Sequence, residues 1–129
     1  MIVVSLAIVF FSLAGVAEAV MDILQFKFME SVFKNKNQMF WNPQLSWQNK
    51  WKDGCPKFGP KFFGSTTVFV FVTDAWHLFK WVRNRFNDLG IAFLIWQMSG
   101  SFYIGVAFAL LCGVLRSLVF EHSFRKLQE

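Results

Sequence analysis

Residues 89–115 read LGIAFLIWQMSGSFYIGVAFALLCGVL, 27 residues with no Asp, Glu, Lys or Arg. At about 1.5 Å per residue, a helix of that length runs roughly 40 Å, against a hydrocarbon core of about 30 Å. Such a segment must tilt, bend, or let its ends reach the interface. Ser99-Gly100-Ser101 is the natural bend. The pattern predicts a membrane helix over 89–117. Inside it Ser101, Gly105, Ala109 and Gly113 recur every four residues, and Ser117 continues the row. Small residues at that spacing leave a flat groove that another helix can approach closely. These four are the expected helix-packing residues, with a second copy or a larger membrane complex as the expected partner.

A second apolar run lies at the other end of the chain. Residues 2–17 carry no charge, and the apolar character continues to Leu24, broken only by Glu18 and Asp22. A helix over 2–24 spans roughly 35 Å, enough to cross a bilayer. Ala17-Glu18-Ala19 also fits a signal-peptidase pattern, but no Lys or Arg precedes the apolar run, as a signal requires. A membrane helix is the expectation.

Composition agrees. Of 129 residues, 55% are hydrophobic and only 16% charged, and there are 18 phenylalanines. Soluble domains carry about a quarter charged residues, and a small one leaves much of its surface in water, so it cannot hide so many rings. Lipid can cover them.

Residues 25–64 are of a different kind. They hold all three prolines and seven lysines against Glu30 and Asp53, a balance of +5 that equals the net charge of the whole chain. Trp41, Trp47 and Trp51 punctuate the stretch, with Lys50 and Lys52 beside them. Indole rings next to ammonium groups suit the head-group zone. An interfacial, basic, aromatic loop facing anionic lipid is therefore expected, with those five residues at the membrane interface. Aromatics among lysines can also stack nucleic-acid bases, but no binding-module pattern accompanies them, and nucleic acid is disfavoured.

The segment after the loop changes character part-way. Residues 62–72 are uncharged. From Thr73 onward Asp74, His77, Lys80, Asn84, Asn87 and Asp88 recur at spacings of three and four, which is an amphipathic helix. A lone strand cannot satisfy its backbone in lipid, so one helix over 65–86 is expected, capped by the Ser65 hydroxyl. The fold class is then all-α integral membrane, a single domain over 1–129. It has three transmembrane helices, or two plus one interfacial helix, around a 40-residue aromatic basic loop, and a polar tail at 118–129. With the amino end outside, the loop is cytoplasmic in both arrangements, and the tail is cytoplasmic with three crossings and outside with two. Counting basic residues gives ten inside and three outside in both arrangements, so the positive-inside rule does not choose between them.

Ionisable residues within membrane segments are costly and mark candidate sites. Glu18 and Asp22 share a face of the first helix, Asp74 and His77 a face of the second, and Glu121 and His122 follow the third. Carboxylates and imidazoles on facing helices can relay protons or hold metal. No His-Glu-x-x-His, phosphate loop or nucleophile elbow occurs, and Cys55 and Cys112, at different depths, make neither a disulfide nor a zinc site. No metal or cofactor is expected. The weightier reading is that Asp74 and His77 form a structural pair, and that Glu18 and Asp22 pair with Lys27 or loop lysines.

Residues 40–52 (FWNPQLSWQNKWK) and 64–80 (GSTTVFVFVTDAWHLFK) together resemble a block in small membrane proteins of Bacteroidota and their phages. The resemblance covers about a third of the chain. No activity attaches to that family, so no functional residue carries over. It implies a bacterial inner membrane or phage internal membrane, and it falls on Asp74 and His77. The expected function is a structural membrane protein of an oligomer, a membrane complex or a lipid-containing virion. The alternatives are a membrane enzyme or proton relay using Asp74 and His77, and a holin-like pore former.

Overall fold

A computed structural model describes residues 2–126, apart from the side chains of Glu121, Phe124 and Arg125. The Glu121 candidate and the end of the expected tail therefore lie outside the described residues. Every named element is helical. Three long helices dominate: α1 at Ile2–Phe26, α4 at Ala75–Ser99 and α5 at Phe102–Lys126. Two single-turn helices lie between the first and second of these, α2 at Gln38–Trp41 and α3 at Pro43–Ser46, among short 3-10 turns. Among the described residues two helices are long and apolar enough to cross a membrane, Ile2–Phe26 and Phe102–Phe120. The expected crossing at 62–86 is not one of them.

The chain divides into two compact units, Met1–Ala14 with Asn84–Glu129, and Gly15–Arg83. In the first, α4 and α5 form an antiparallel hairpin. The expected bend at Ser99-Gly100-Ser101 is a full break, not a bend within a helix over 89–117. Gly100 takes φ +70°, the left-handed conformation that ends helices, and its amide donates to the Trp96 carbonyl. The small-residue face of α5 closes the hairpin. Gly105 and Ala109 are buried. A side-chain carbon added at Gly105 would run into the carbonyl oxygen of Ala92 on α4. Phe10 stacks on Phe93 at 5.5 Å, and the Phe11 ring lies over Gly90, so α1 contributes rings to the same packing.

The buried positions of α1 are Ala7, Ala14, Ala17, Met21 and Leu24, with Phe10 half-buried in the gap. Their spacing alternates between three and four, the seam of a helix packed along its length. The other faces of α1 and α5 carry exposed large apolar side chains, among them Ile8, Val16, Leu110 and Val119.

The second unit folds the basic stretch into ordered turns. Asn37 accepts from the Met39 amide and caps α2. Asn42 accepts from the Gln44 amide and caps α3, with Pro43 at its first position. Trp51 and Pro60 pair across a short turn through Asp53, Gly54 and Gly59, all at positive φ. Leu24, Phe28 and Ala75 form a core, flanked by Val20, Phe33, Phe40 and Trp41.

The expected helix over 65–86 starts only at Ala75. Gly64, at φ +77°, turns the chain back so that its own open side meets the Phe69 ring. The Ser65 hydroxyl does not cap a helix; it donates to the Lys50 carbonyl at 2.8 Å. The Val/Phe run that follows forms turns and one 3-10 helix, Val70–Val72. Helix formation waits for Asp74, which supplies the cap.

Candidate functional site

Asp74 precedes the first residue of α4. Its Oδ1 accepts from the His77 amide at 2.9 Å, the usual bond from an N-cap side chain to the third helical residue. Its Oδ2 lies 2.7 Å from Nδ1 of His77. One carboxylate thus satisfies the helix end and fixes the orientation of an imidazole. Asp74 is 3% exposed, whereas the His77 ring is about one-third exposed, so the carboxylate is shielded and the imidazole reaches water. Thr73, also buried, closes the turn by donating from Oγ1 to the Val70 carbonyl, and its own carbonyl accepts from Asn49 Nδ2 at 2.6 Å. Asn49 Oδ1 in turn accepts from Lys61 Nζ. The loop and the start of α4 are tied together through these polar atoms.

His77 faces a cleft of about 300 Å³, with Gln25, Ser46, Trp47 and Trp76 around it. The His77 and Trp76 rings meet edge to face at 5.1 Å. With the proton on Nδ1, the ring donates to Asp74 and leaves Nε2 as the basic edge. That arrangement can take up a proton. Among the described residues no three His, Cys, Asp or Glu side chains converge as a metal site would require.

Glu18 does not join Asp74 and His77. Its Oε1 accepts from Arg83 Nη1 at 3.0 Å, so its partner is an α4 arginine instead of Lys27 or a loop lysine. Asp22 is exposed. His122 is exposed on α5.

The three tryptophans of the basic stretch have separate places. Trp41 is packed, stacked on Phe33 at 4.7 Å and close to Phe79. Trp51 pairs with Pro60 beneath the Lys50 ammonium, 5.9 Å from its ring. Trp47 is exposed, its indole N–H donating to the Gln44 carbonyl. Lys52 is exposed and Lys50 half-buried. Lys80 lies 5.0 Å over the Trp76 ring, and burial, then the neighbouring Arg83 charge, lowers its ammonium below the ordinary 10.5.

The chain matches no family model, no curated protein and no solved structure.

A second charged group escaped the sequence reading. Asp88 is buried, with Arg85 Nη2 at 2.8 Å from one oxygen and Arg116 Nη2 at 2.9 Å from the other. Asp88 reads as one more residue of a polar stripe. The usable signal was Arg116, the one charge that interrupts α5 between Phe102 and Phe120. A lone charge there needs a partner on the neighbouring helix.

Proposed function

We propose that the chain is an integral membrane protein with a structural role. Three helical segments cross the bilayer, and the basic aromatic stretch lies against anionic head groups on the cytoplasmic side. The observation that carries this reading is the outer surface of the two long apolar helices. Only 17% of the apolar window in α1 and 11% of that in α5 is covered by the rest of the chain. Monomeric soluble proteins rarely expose contiguous apolar surface on that scale.

The third crossing is residues 86–99, the second half of α4, in place of 62–86. Uncharged runs then stand at 2–17 and 102–115, and 86–99 holds only Asp88. The α4 run is about 21 Å long, short of the core, and Arg83 and Arg85 bridge the difference by extending toward the interface. This placement breaks the tie in the charge count. All 13 Lys and Arg residues fall outside the three runs and onto one side of the membrane. The amino end and the Gly100 turn lie on the other side. The positive-inside rule makes the basic side cytoplasmic. A bacterial inner membrane or phage internal membrane, implied by the family resemblance, is the setting we propose. With Gly105 and Ala109 turned onto α4, assembly with a second copy or a membrane complex uses the outer faces of α1 and α5.

Native thiols test the topology. A membrane-impermeant maleimide should label Cys55 from the cytoplasmic face only, and Ser101→Cys, in a Cys55→Ser background, from the opposite face only. Labelling of both from the same side would overturn the three-crossing arrangement.

A second reading, a proton relay through Asp74 and His77, draws support from the 2.7 Å carboxylate–imidazole contact beside an open cleft. Proton flux in proteoliposomes that survives His77→Gln would remove it.

A further inference from the structure

We propose that the groove between α4 and α5 binds an anionic phospholipid, its phosphate held by Arg85 and Arg116 and one acyl chain lying along Val114 and Leu110. The proposal rests on the membrane reading above and adds a lipid class and a site to it.

The polar end of the groove is built around Asp88. Its two oxygens each hold one guanidinium, Arg85 at 2.8 Å and Arg116 at 2.9 Å. Two cations on one anion leave an excess of +1. Each guanidinium reaches Asp88 through Nη2, and the rest of a five-donor fork remains for a second anion. Both arginine side chains are about two-fifths exposed, while Asp88 is only 12% exposed. The carboxylate is thus the floor and the guanidinium edges are the rim. Asp88 also holds the two forks side by side, and paired guanidiniums match phosphate oxygens bidentately.

The remaining walls say which anion. The groove, about 300 Å³, is lined by Arg85 and Asp88 and by Leu110, Val114 and Leu118, and Arg116 reaches it through its bond to Asp88. Leu110 and Val114 are 60% and 57% exposed and lie one turn apart on α5. From Arg116 they lead back into the uncharged run of that helix. A soluble phosphate has no use for that ridge. An amphiphile uses both ends. Basic pockets between membrane helices on the cytoplasmic side take anionic head groups in this way.

The test uses the full chain in detergent, with native mass spectrometry of bound phosphatidylglycerol against phosphatidylcholine. One guanidinium's worth of excess charge corresponds to about a fivefold preference for phosphatidylglycerol. Arg85→Gln with Arg116→Gln should bring the preference to parity. Lys126→Gln, which removes an α5 charge outside the groove lining, should leave it unchanged. Because the arginine variants can disturb the hairpin, Val114→Trp serves as a second probe: it fills the exposed groove, keeps every charge, and should lower phosphatidylglycerol retention several-fold. Glycerol phosphate without acyl chains should not displace the lipid. Equal retention of the two lipids, an unchanged preference in the double-arginine or Val114→Trp variant, or full displacement by glycerol phosphate would overturn the site. Flotation with vesicles separates the two levels. A chain that floats with neutral vesicles yet shows no head-group preference removes only this site. A chain that floats with none removes the membrane reading too.

Discussion

Asp74 performs two tasks with two oxygens, and substitutions can separate them. Asparagine is as good an N-cap as aspartate, and alanine is not. Asp74→Ala should therefore lower stability by about 1 kcal/mol from the cap alone, with a further loss from the orphaned His77 ring. Asp74→Asn should retain most of the stability. Thermal unfolding in micelles, followed by tryptophan fluorescence, measures both. Equal losses for the two variants would show that the charge, and not the cap, matters to the fold. Lys80 gives a prediction in pH. Its folded value is below 10.5, so the unfolded chain holds the proton to higher pH than the folded one. Stability then rises as pH climbs from the folded value toward 10.5, and the cost of burying the charge is complete below that window. Lys80→Met removes the titrating group. Its unfolding temperature should differ from wild type by an amount that changes as pH approaches 10.5 from below and becomes constant once pH falls well under that window. A difference that stays flat throughout would contradict the lowered value.

At the scale of elements, two glycines make opposite predictions. Gly105 sits where α5 touches the α4 backbone at Ala92, and a methyl group has no room there. Gly105→Ala should push the helices apart and cost about 1–3 kcal/mol. Gly15 lies in α1 with no atom within 4 Å of the space its side chain would fill. Gly15→Ala should be neutral or stabilising by about 0.5–1 kcal/mol, since glycine is a poor helix former. Denaturation of the two variants side by side decides the matter, and comparable losses would count against the hairpin packing. These elements differ in how far the sequence discloses them. The uncharged run at 2–17 shows α1 directly, because length and lack of charge suffice, whereas the run at 89–115 straddles the Gly100 break and is divided between α4 and α5. The four-residue spacing of Ser101 to Gly113 shows a close-packing face, but not that the chain's own α4 fills it. The start of α4 is hidden by its surroundings. A Val/Phe run without charges looks like the entry to a membrane helix, and Asp74, a cap residue directly before Ala75, reads as one more member of a polar stripe. Hydrogen bonds from Ser65 to Lys50 and from Asn49 to Thr73 hold that run in turns. Contacts of this range leave no local periodicity. The α1 seam at Ala7, Ala14 and Ala17 is not legible in the sequence, because the other faces of that helix are apolar too.

For the whole molecule, the placement of charge is the feature with most at stake. No Lys or Arg occurs in 1–26 or in 86–115. In the three-crossing arrangement the Gly100 turn must traverse the bilayer during insertion, and it does so without carrying a basic residue. Gln97 and Met98 are exposed beside that turn, so lysines there disturb no packing. Gln97→Lys with Met98→Lys should oppose translocation, since basic residues in short segments flanking membrane helices are retained in the cytoplasm. The expected outcome is that a cysteine at Ser101, accessible only from the far side in the parent chain, becomes accessible from the cytoplasmic side in a substantial fraction of molecules. The same two charges added in the basic stretch, as Asn35→Lys with Gln48→Lys, should leave that labelling unchanged. A total-charge effect on expression or solubility would act on both pairs alike, whereas a topological effect acts only on the first. If the turn keeps its far-side labelling with both lysines present, the one-sided distribution of basic residues does not set the orientation, and the cytoplasmic assignment of the basic aromatic stretch falls with it.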